Sequence, residues 1–543
     1  MKNSQNKILK RFNKKTILDF SKFCFFAAIL LIGFARILYT YNLPNFYLKN
    51  MQYDDFLMIK LLNSLKDENY LGPYDTKNLI KGPLFSFLIF IINMHKASYC
   101  NIFTILYILA SLYFIFSLKN VIENKKLLCF IFFILLFNPA TYSQDIFQRL
   151  YRNSISITEF VFFLGCVIRV LFSSNKKVLN YSLLGVSLAL MFLTREDNIW
   201  TYPILLLIIV YSIIKNNSLK PVLLNIIPIV IIMICLNIVS FFNYKYYGIY
   251  TYNELQQSEF HNTYKKILQI KDKDKKSQVS IPKSTLYLLS EKTKTFNLTR
   301  FDIDKYYSRY ADKNGEISNG NIIWYFRNMV YYKNKFDSGF ESEKFYKELG
   351  EELDHLFSDG TLQKEFVMPS MFMSIPTKEE LKQLPGNLLY AIYYTSTYQN
   401  IKTMTSTEDY DFNKGVNAYY FNYEDYHDTV SIVKNNSTKY EIFRLLYKYF
   451  TVIFSVVALI IYFKNIKKLD KLNLISHILL MCYLLILGGV VYTHTTSFHA
   501  IRPLYLGNIY IIQDLFILVQ LCRFFLNKKN KLFEIKKPLK MLP

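Results

Sequence analysis

The sequence predicts an α-helical polytopic membrane protein with a mostly helical extracytoplasmic domain. Three observations predict it. Of 543 residues, 52% are hydrophobic and the mean hydropathy is +0.14, high for a chain of this length. The apolar residues gather in blocks of about twenty, the length that crosses a bilayer as one helix. The charge is also partitioned. The polar stretch Lys245–Tyr440 holds 26 basic and 26 acidic residues, so the whole net charge of +24 lies in the apolar remainder. Six short connections within 1–16, 119–126, 175–181, 215–220, 464–472 and 526–543 carry +20 of it. That is positive-inside bias, which excludes a nucleic-acid partner and places these connections in the cytoplasm.

Taken in order, residues 17–41 follow a basic head with no small-residue cleavage site, the pattern of a retained signal-anchor. Further spans are expected at 101–118, 127–142, 155–174, 182–195, 198–215, 221–243, 444–463, 473–493 and 503–525, making about ten with the first. Pro83–Met94 is too short for a full crossing. Counting it as an eleventh span would scatter the basic connections over both faces, so it is read as an interfacial segment. The organisation is then a transmembrane module over 1–244 with an outer loop 42–82, an extracytoplasmic domain over 245–441, and C-terminal spans with a basic tail over 442–543. Both termini are cytoplasmic, and the compartment boundary is the plasma membrane. All seven cysteines lie in or beside apolar runs, so the polar domain has no disulfide framework. Within it, Phe340, Phe345, Tyr346, Leu349, Leu353, Leu356 and Phe357 recur at helical spacing, weakened at Gly350. Some strand is expected in the Tyr-rich stretch 389–423, and Lys271–Lys276 reads as an exposed loop.

The outer loop carries the first candidate chemistry. Asp54-Asp55 opens a segment whose stripe Phe56, Ile59, Leu62 and Leu65 predicts an amphipathic helix along the membrane surface. Carboxylates are favoured at that helix end by its dipole, so a plain cap is the competing reading. Lys81-Gly82-Pro83-Leu84 follows, a lysine at the edge of the next apolar segment.

In these residues the chain resembles the GT-C superfamily of membrane glycosyltransferases, in the branch of protein O-mannosyltransferases and lipid A aminoarabinose transferases. That branch has an acidic pair after the first span and a Lys-Pro-Pro-Leu-like motif opening the next apolar helix. Here Gly82 replaces the first proline. The resemblance is specific over roughly 17–95, loose to about 245, and architectural beyond. It implies transfer of a sugar from a polyprenyl-phosphate donor to a glycan, lipid or protein acceptor. Asp54 would be catalytic with Asp55 beside it, and Lys81 would contact the donor phosphate.

The chemistry agrees with that assignment. A lipid phosphate is a built-in leaving group, so the enzyme needs a carboxylate base and cations for the departing charge. Arg149, Arg152, Arg195 and Arg502 are further phosphate candidates, since guanidinium forks onto phosphate; membrane-edge anchoring is the alternative. Arg195-Glu196-Asp197 between two apolar runs is costly unless it lines a wet cavity. His494 and His499 lack metal-site spacing. No cofactor is expected, although Asp145 could join Asp54 in holding Mg2+ or Mn2+. Trp324 could face an acceptor, with core packing the plainer reading. Asn297-Leu298-Thr299 and Asn435-Asn436-Ser437 match the glycosylation pattern as expected by chance in an Asn-rich chain. A transporter or lipid flippase, and a non-catalytic scaffold on the same fold, are the competing functions; the spans read as nearly free of charge, which argues against transport.

Overall fold

The computed structural model describes residues 2–41, 43–47, 54–216, 223–312, 314–332, 337–368, 374–405, 416–417, 437–468 and 470–535. The first helix, α1 (Lys2–Thr40), is followed by β1 (Phe46–Tyr47), α2 (Asp54–Lys66), α3 (Leu84–Met94), α4 (Tyr99–Leu118) and α5 (Lys125–Leu136). Next come α6 (Asn153–Phe172), α7 (Lys177–Thr194), α8 (Tyr202–Asn216) and α9 (Ile226–Tyr247). The polar stretch holds α10 (Glu259–Leu268), α11 (Lys283–Lys292), α12 (Arg300–Tyr307), α13 (Asn319–Tyr332), α14 (Gly339–Ser358) and α15 (Lys378–Ser396). After β2 (Val416–Asn417), the chain ends in α16 (Ser437–Asn465), α17 (Lys471–Thr496) and α18 (Pro503–Ile535).

Among the described residues, eight helices are long and apolar enough to cross a membrane: α1, α4, α6, α7, α9, α16, α17 and α18. The chain is therefore an α-helical multi-pass membrane protein. Two expected spans are shorter than the sequence suggested. The 127–142 run is α-helical only to Leu136, because Asn138 caps a 3₁₀ turn at Pro139–Tyr142. The 198–215 run begins as a 3₁₀ turn at Asn198–Thr201 before α8. The start of the 221–243 run, the end of the basic tail, and Asn435-Asn436 lie outside the described residues.

Side-chain contacts sort the helix ends into two sets. At one end, Leu150 N bonds Phe46 O, Asn45 bonds Cys100 N, and Asn153 bonds Leu504 O. Tyr440 reaches Tyr39 O and Tyr247 reaches Gly72 O at the same end. At the opposite end, Lys125 reaches Ser21, Lys471 reaches Asn120 O, and Arg523 pairs with Asp470. The basic connections 119–126 and 464–472 thus share one end of the bundle, and Asp54 lies at the other.

Burial follows from the solvent each helix meets. The central spans α6 and α18 are mostly buried, whereas α9 and α16 turn bare Ile, Val, Leu and Phe outward, as lipid requires. The bundle has one apolar core, including Phe114, Leu164, Leu188, Leu479 and Ile512. A second core joins α2 and α3 to α9–α14 through Leu57, Leu61, Phe85, Phe103, Phe260, Phe326 and Leu349. The segment 54–94 is therefore continuous with the polar domain. This corrects the expected surface helix: α2 buries Leu57, Met58, Ile59, Leu61 and Leu62 in protein, leaving Phe56 and Leu65 partly covered.

The helix α14 forms as its spacing predicts, burying Phe345, Tyr346, Leu349 and Leu353, but Phe340 is exposed. Gly350 does not interrupt it; a Cβ there would stand 2.6 Å from Thr263 Oγ1, so glycine permits the close crossing of α10. Of the Tyr-rich stretch 389–423, the first part is helix to Ser396, and Val416–Asn417 pairs antiparallel with Phe46–Tyr47. Residues 397–405 between them are irregular, and the remainder of the stretch lies outside the described residues. Unlike the domain before it, Ala391–Ile401 packs into the bundle core.

Candidate functional site

Two backbone features bring Lys81 to Asp54. The 73–78 turn closes on itself: Asp75 Oδ1 accepts from Lys77 N and Asn78 N, and Asn78 Nδ2 donates to Pro73 O at 2.8 Å. The polar domain then clamps the backbone of 76–80. Glu254 N donates to Leu79 O at 2.9 Å, Asn253 Nδ2 to Ile80 O at 3.0 Å, and Arg327 Nε to Thr76 O at 2.8 Å. Gly82 seals the turn against the end of α7, where a Cβ would stand 1.9 Å from Leu193 O. A glycine at position 82 is thus what this packing needs. Gly82→Ala and Gly82→Pro should each destabilise the protein by at least the ~1–3 kcal/mol of an overpacked interior, read as a lower unfolding midpoint in detergent.

The result is a charged cluster. Lys81 Nζ lies 3.2 Å from Asp54 Oδ2 and 3.6 Å from Glu196 Oε1. Tyr151 OH donates to Asp54 Oδ2 at 3.0 Å. Arg152 pairs with Glu196 and donates to Thr194 O at 3.0 Å and to Tyr151 OH at 3.2 Å. Arg195 pairs with Asp197 and donates to Asn153 Oδ1 at 2.8 Å. The ring of Trp324 stands 5.8 Å from Lys81 Nζ, and Arg327 is one turn along the same helix. Of the groups in contact with Lys81, Asp54 is the reachable one, with 33% of its side chain exposed against 10% for Glu196, while Asp197 stands exposed at the rim.

Electrostatics fix the charge states. Burial pushes the Asp54 carboxyl up, but Lys81 and Arg152 outweigh it and hold the group at about 2. Burial likewise opposes charge on Lys81, yet Asp54 keeps the ammonium above the usual lysine range. For Glu196, Arg152 and Lys81 overcome burial and lower it. Asp197 is held at about 2, because Arg195 outweighs the effect of burial. All four ionise at neutral pH. A cluster of three carboxylates and three cations, with Asp54 partly open and Asp197 exposed, can accept a proton and can exchange its own carboxylates for an incoming anion.

The remaining sequence candidates stand apart. Asp55 is fully buried and takes both prongs of Arg149, Nε at 2.6 Å and Nη2 at 2.5 Å. That pair holds the start of α2, and Arg149 is not presented to a phosphate beside Lys81. Arg502 is exposed just before α18, and among the described residues no ion pair joins it to Asp54. Asp145 does not join Asp54: it senses the charges of Arg149, Arg502 and Lys402, though burial still raises its pKa. Among the described residues no three His, Cys, Asp or Glu side chains are grouped to hold a metal ion, so Mg2+ or Mn2+ has no fitted ligand set there. His494 accepts from Ile501 N and faces the His499 ring at 5.2 Å, closing the turn before α18.

Sequence reasoning missed Glu196 as the hub between Lys81 and Arg152, and Tyr151 as the donor to Asp54. It also passed over Glu159, which accepts from Thr194 Oγ1 at 2.5 Å inside α6. A lone carboxylate in an apolar run was the available signal.

The fold and the cluster define a multi-pass membrane protein with a charged site at one end of its bundle, roofed by a helical domain. Comparisons with protein-family models, curated proteins and solved structures returned no match to this chain.

Proposed function

We propose that the protein is an integral-membrane glycosyltransferase that moves a sugar from a polyprenyl-phosphate donor to a glycan, lipid or protein acceptor. One observation carries this reading: a partly exposed, ionised Asp54 in contact with Lys81, with Arg152 and Arg195 in the same cluster. Asp54 takes the acceptor's proton, and Lys81 with Arg152 stabilises charge developing on the leaving phosphate. Near 2, Asp54 is a weak base while both cations face it. A donor phosphate that draws them away removes the cause of that depression, so donor binding itself raises the basicity of Asp54. Arg195 steadies Asn153 and Asp197 at the rim, and Asp55 with Arg149 positions the helix that presents Asp54.

Purified protein in nanodiscs should bind or consume polyprenyl-phosphate sugars and ignore nucleotide sugars. Lys81→Ala should weaken donor binding by about 1.5–3 kcal/mol, the worth of a charged hydrogen bond. Productive use of a nucleotide sugar would remove the reading.

The site faces away from the cytoplasm in this proposal, since it lies opposite the basic connections. A topology reporter after Lys468 should be active only inside, and one within Lys271–Lys276 only outside; both on one side would overturn the orientation. Transport is the second reading, favoured by Glu159 and Asp514 within the spans. Asp514, however, is bonded by Asn138, Tyr398 and Thr451, which suits a structural tie better than a carrier site.

A further inference from the structure

The helix α15 (Lys378–Ser396) belongs to the stretch expected to be a polar domain, yet its contacts descend along the spans. At its middle, Asn387 Nδ2 donates to Thr495 Oγ1 at 2.9 Å, one residue from the end of α17. At its last residue, Ser396 Oγ accepts from Gln513 Nε2 at 2.7 Å. Gln513 is ten residues beyond Pro503, where α18 begins, a depth of about 15 Å at about 1.5 Å per residue. That is near the middle of a hydrocarbon core about 30 Å thick. Just beyond, Tyr398 OH donates to Asp514 Oδ2 at 3.0 Å. The same carboxylate takes Asn138 at 2.8 Å, just after the short helix α5, and Thr451 at 3.0 Å, midway along α16. The chain then returns: Gln144 N donates to Lys402 O, and Met404 N to Gln148 Oε1, beside the Asp54 end.

The composition of α15 fits that path. Its first turns carry Lys378, Glu379, Glu380 and Lys382, whereas Leu384–Ser396 has no charged residue. One face, Ala391, Tyr394 and Thr395, is buried in the bundle. The opposite face is apolar too and bare: Leu389 is 68% and Tyr393 56% exposed, with Leu388 and Ile392 beside them. A helix apolar all round needs a non-aqueous neighbour on both sides.

We infer that α15 is a re-entrant helix, entering the bilayer near Asn387, ending near the midplane at Ser396, and presenting Leu388, Leu389, Ile392 and Tyr393 to lipid acyl chains. Irregular backbone at that depth is tolerated only where protein satisfies it. At the tip Gln399 N donates to Tyr394 O and Arg444 Nη1 to Tyr398 O at 3.3 Å, and past the end of α5 Asn138 Oδ1 accepts from Ala140 N. The inference does not depend on the transferase reading.

The test uses the full chain in nanodiscs, labelled with bimane at Leu389→Cys or, separately, Tyr393→Cys, with signal from the native cysteines subtracted using the unsubstituted protein. Phe301→Cys on the exposed face of α12 is the water-facing control. Lipids brominated on the acyl chain should quench both labels on α15 and leave the control bright. A membrane-impermeant maleimide should modify the α15 cysteines at least tenfold more slowly than Cys at 301. Equal, fast modification without quenching would place the face in water and overturn the inference. Slow modification without quenching would mean that protein covers it, from this chain or a second copy, and would overturn it equally. Two positions are tested so that failure of one variant to fold leaves the other decisive.

Discussion

Asp54→Asn is expected to lower sugar transfer roughly 100–10,000-fold, the usual cost of losing a general base, with the protein still folded and inserted. The fold should survive because Asn matches Asp in size and polarity at the first residue of α2. The amide also keeps an oxygen that can accept from Tyr151 OH, now 3.0 Å away. What it cannot do is take a proton. It also removes the negative charge facing Lys81, leaving Glu196 at 3.6 Å as that ammonium's nearest carboxylate. Donor binding should therefore hold or tighten while turnover collapses, a split between KM and kcat that a merely structural role would not produce. The measurement is transfer from a polyprenyl-phosphate sugar by membranes matched for protein level. Full activity in the variant would reduce Asp54 to a helix cap and end the claim that this cluster is catalytic.

Much of this arrangement was legible in the sequence, for identifiable reasons. The long spans declare themselves because lipid demands unbroken apolar runs, and the basic connections 119–126 and 464–472 mark one end of the bundle. Asp54 and Lys81 were found because a charge at the margin of an apolar segment is conspicuous. Their meeting was not legible, since it depends on Gly82 lying against Leu193 O and on bonds from Asn253, Glu254 and Arg327, more than 170 residues away. Glu196 was visible only as one of three adjacent charges, and spacing alone cannot say that it bridges Lys81 and Arg152. Asp55 shows the same limit. Nothing local separates it from Asp54, and only the partner 94 residues on decides which carboxylate is buried. The helix α15 escaped because hydropathy averages its charged first turns with its apolar end, and because re-entry leaves no span-length run.

The roof of the site follows from one helix. On α13, Trp324 lies over Lys81 while Arg327, one turn on, bonds Thr76 O and pairs with Glu254, which also accepts from Tyr74 OH at 2.5 Å. The polar domain therefore touches the cluster through a side chain and through the backbone that carries Lys81. Glu254 N on Leu79 O closes the same contact from the turn after α9. A domain of this construction is a part of the site, and changes within it should alter the geometry at Lys81.

The pair beneath the site should give the largest loss of stability. Asp55 is fully buried, and its two oxygens accept from Nε and Nη2 of Arg149, whose guanidinium also lies 5.4 Å from the Tyr151 ring. Asp55→Ala removes the carboxylate but leaves the guanidinium in a site with little water. Breaking a buried pair from one side costs about 3–5 kcal/mol, because the remaining charge is uncompensated. The start of α2 would also lose its tie to the 143–152 segment, and Asp54 with it. Asp55→Ala together with Arg149→Met should recover most of that loss, since the orphaned charge is gone and the methionine fills much of the space. The cycle is read from unfolding midpoints in detergent for the two single variants and the double variant. If the double variant is as damaged as the sum of the singles, the two groups act independently and the pair is not what holds α2. If stability returns but transfer does not, the pair's role is to aim Asp54, which neither burial nor charge balance alone would require.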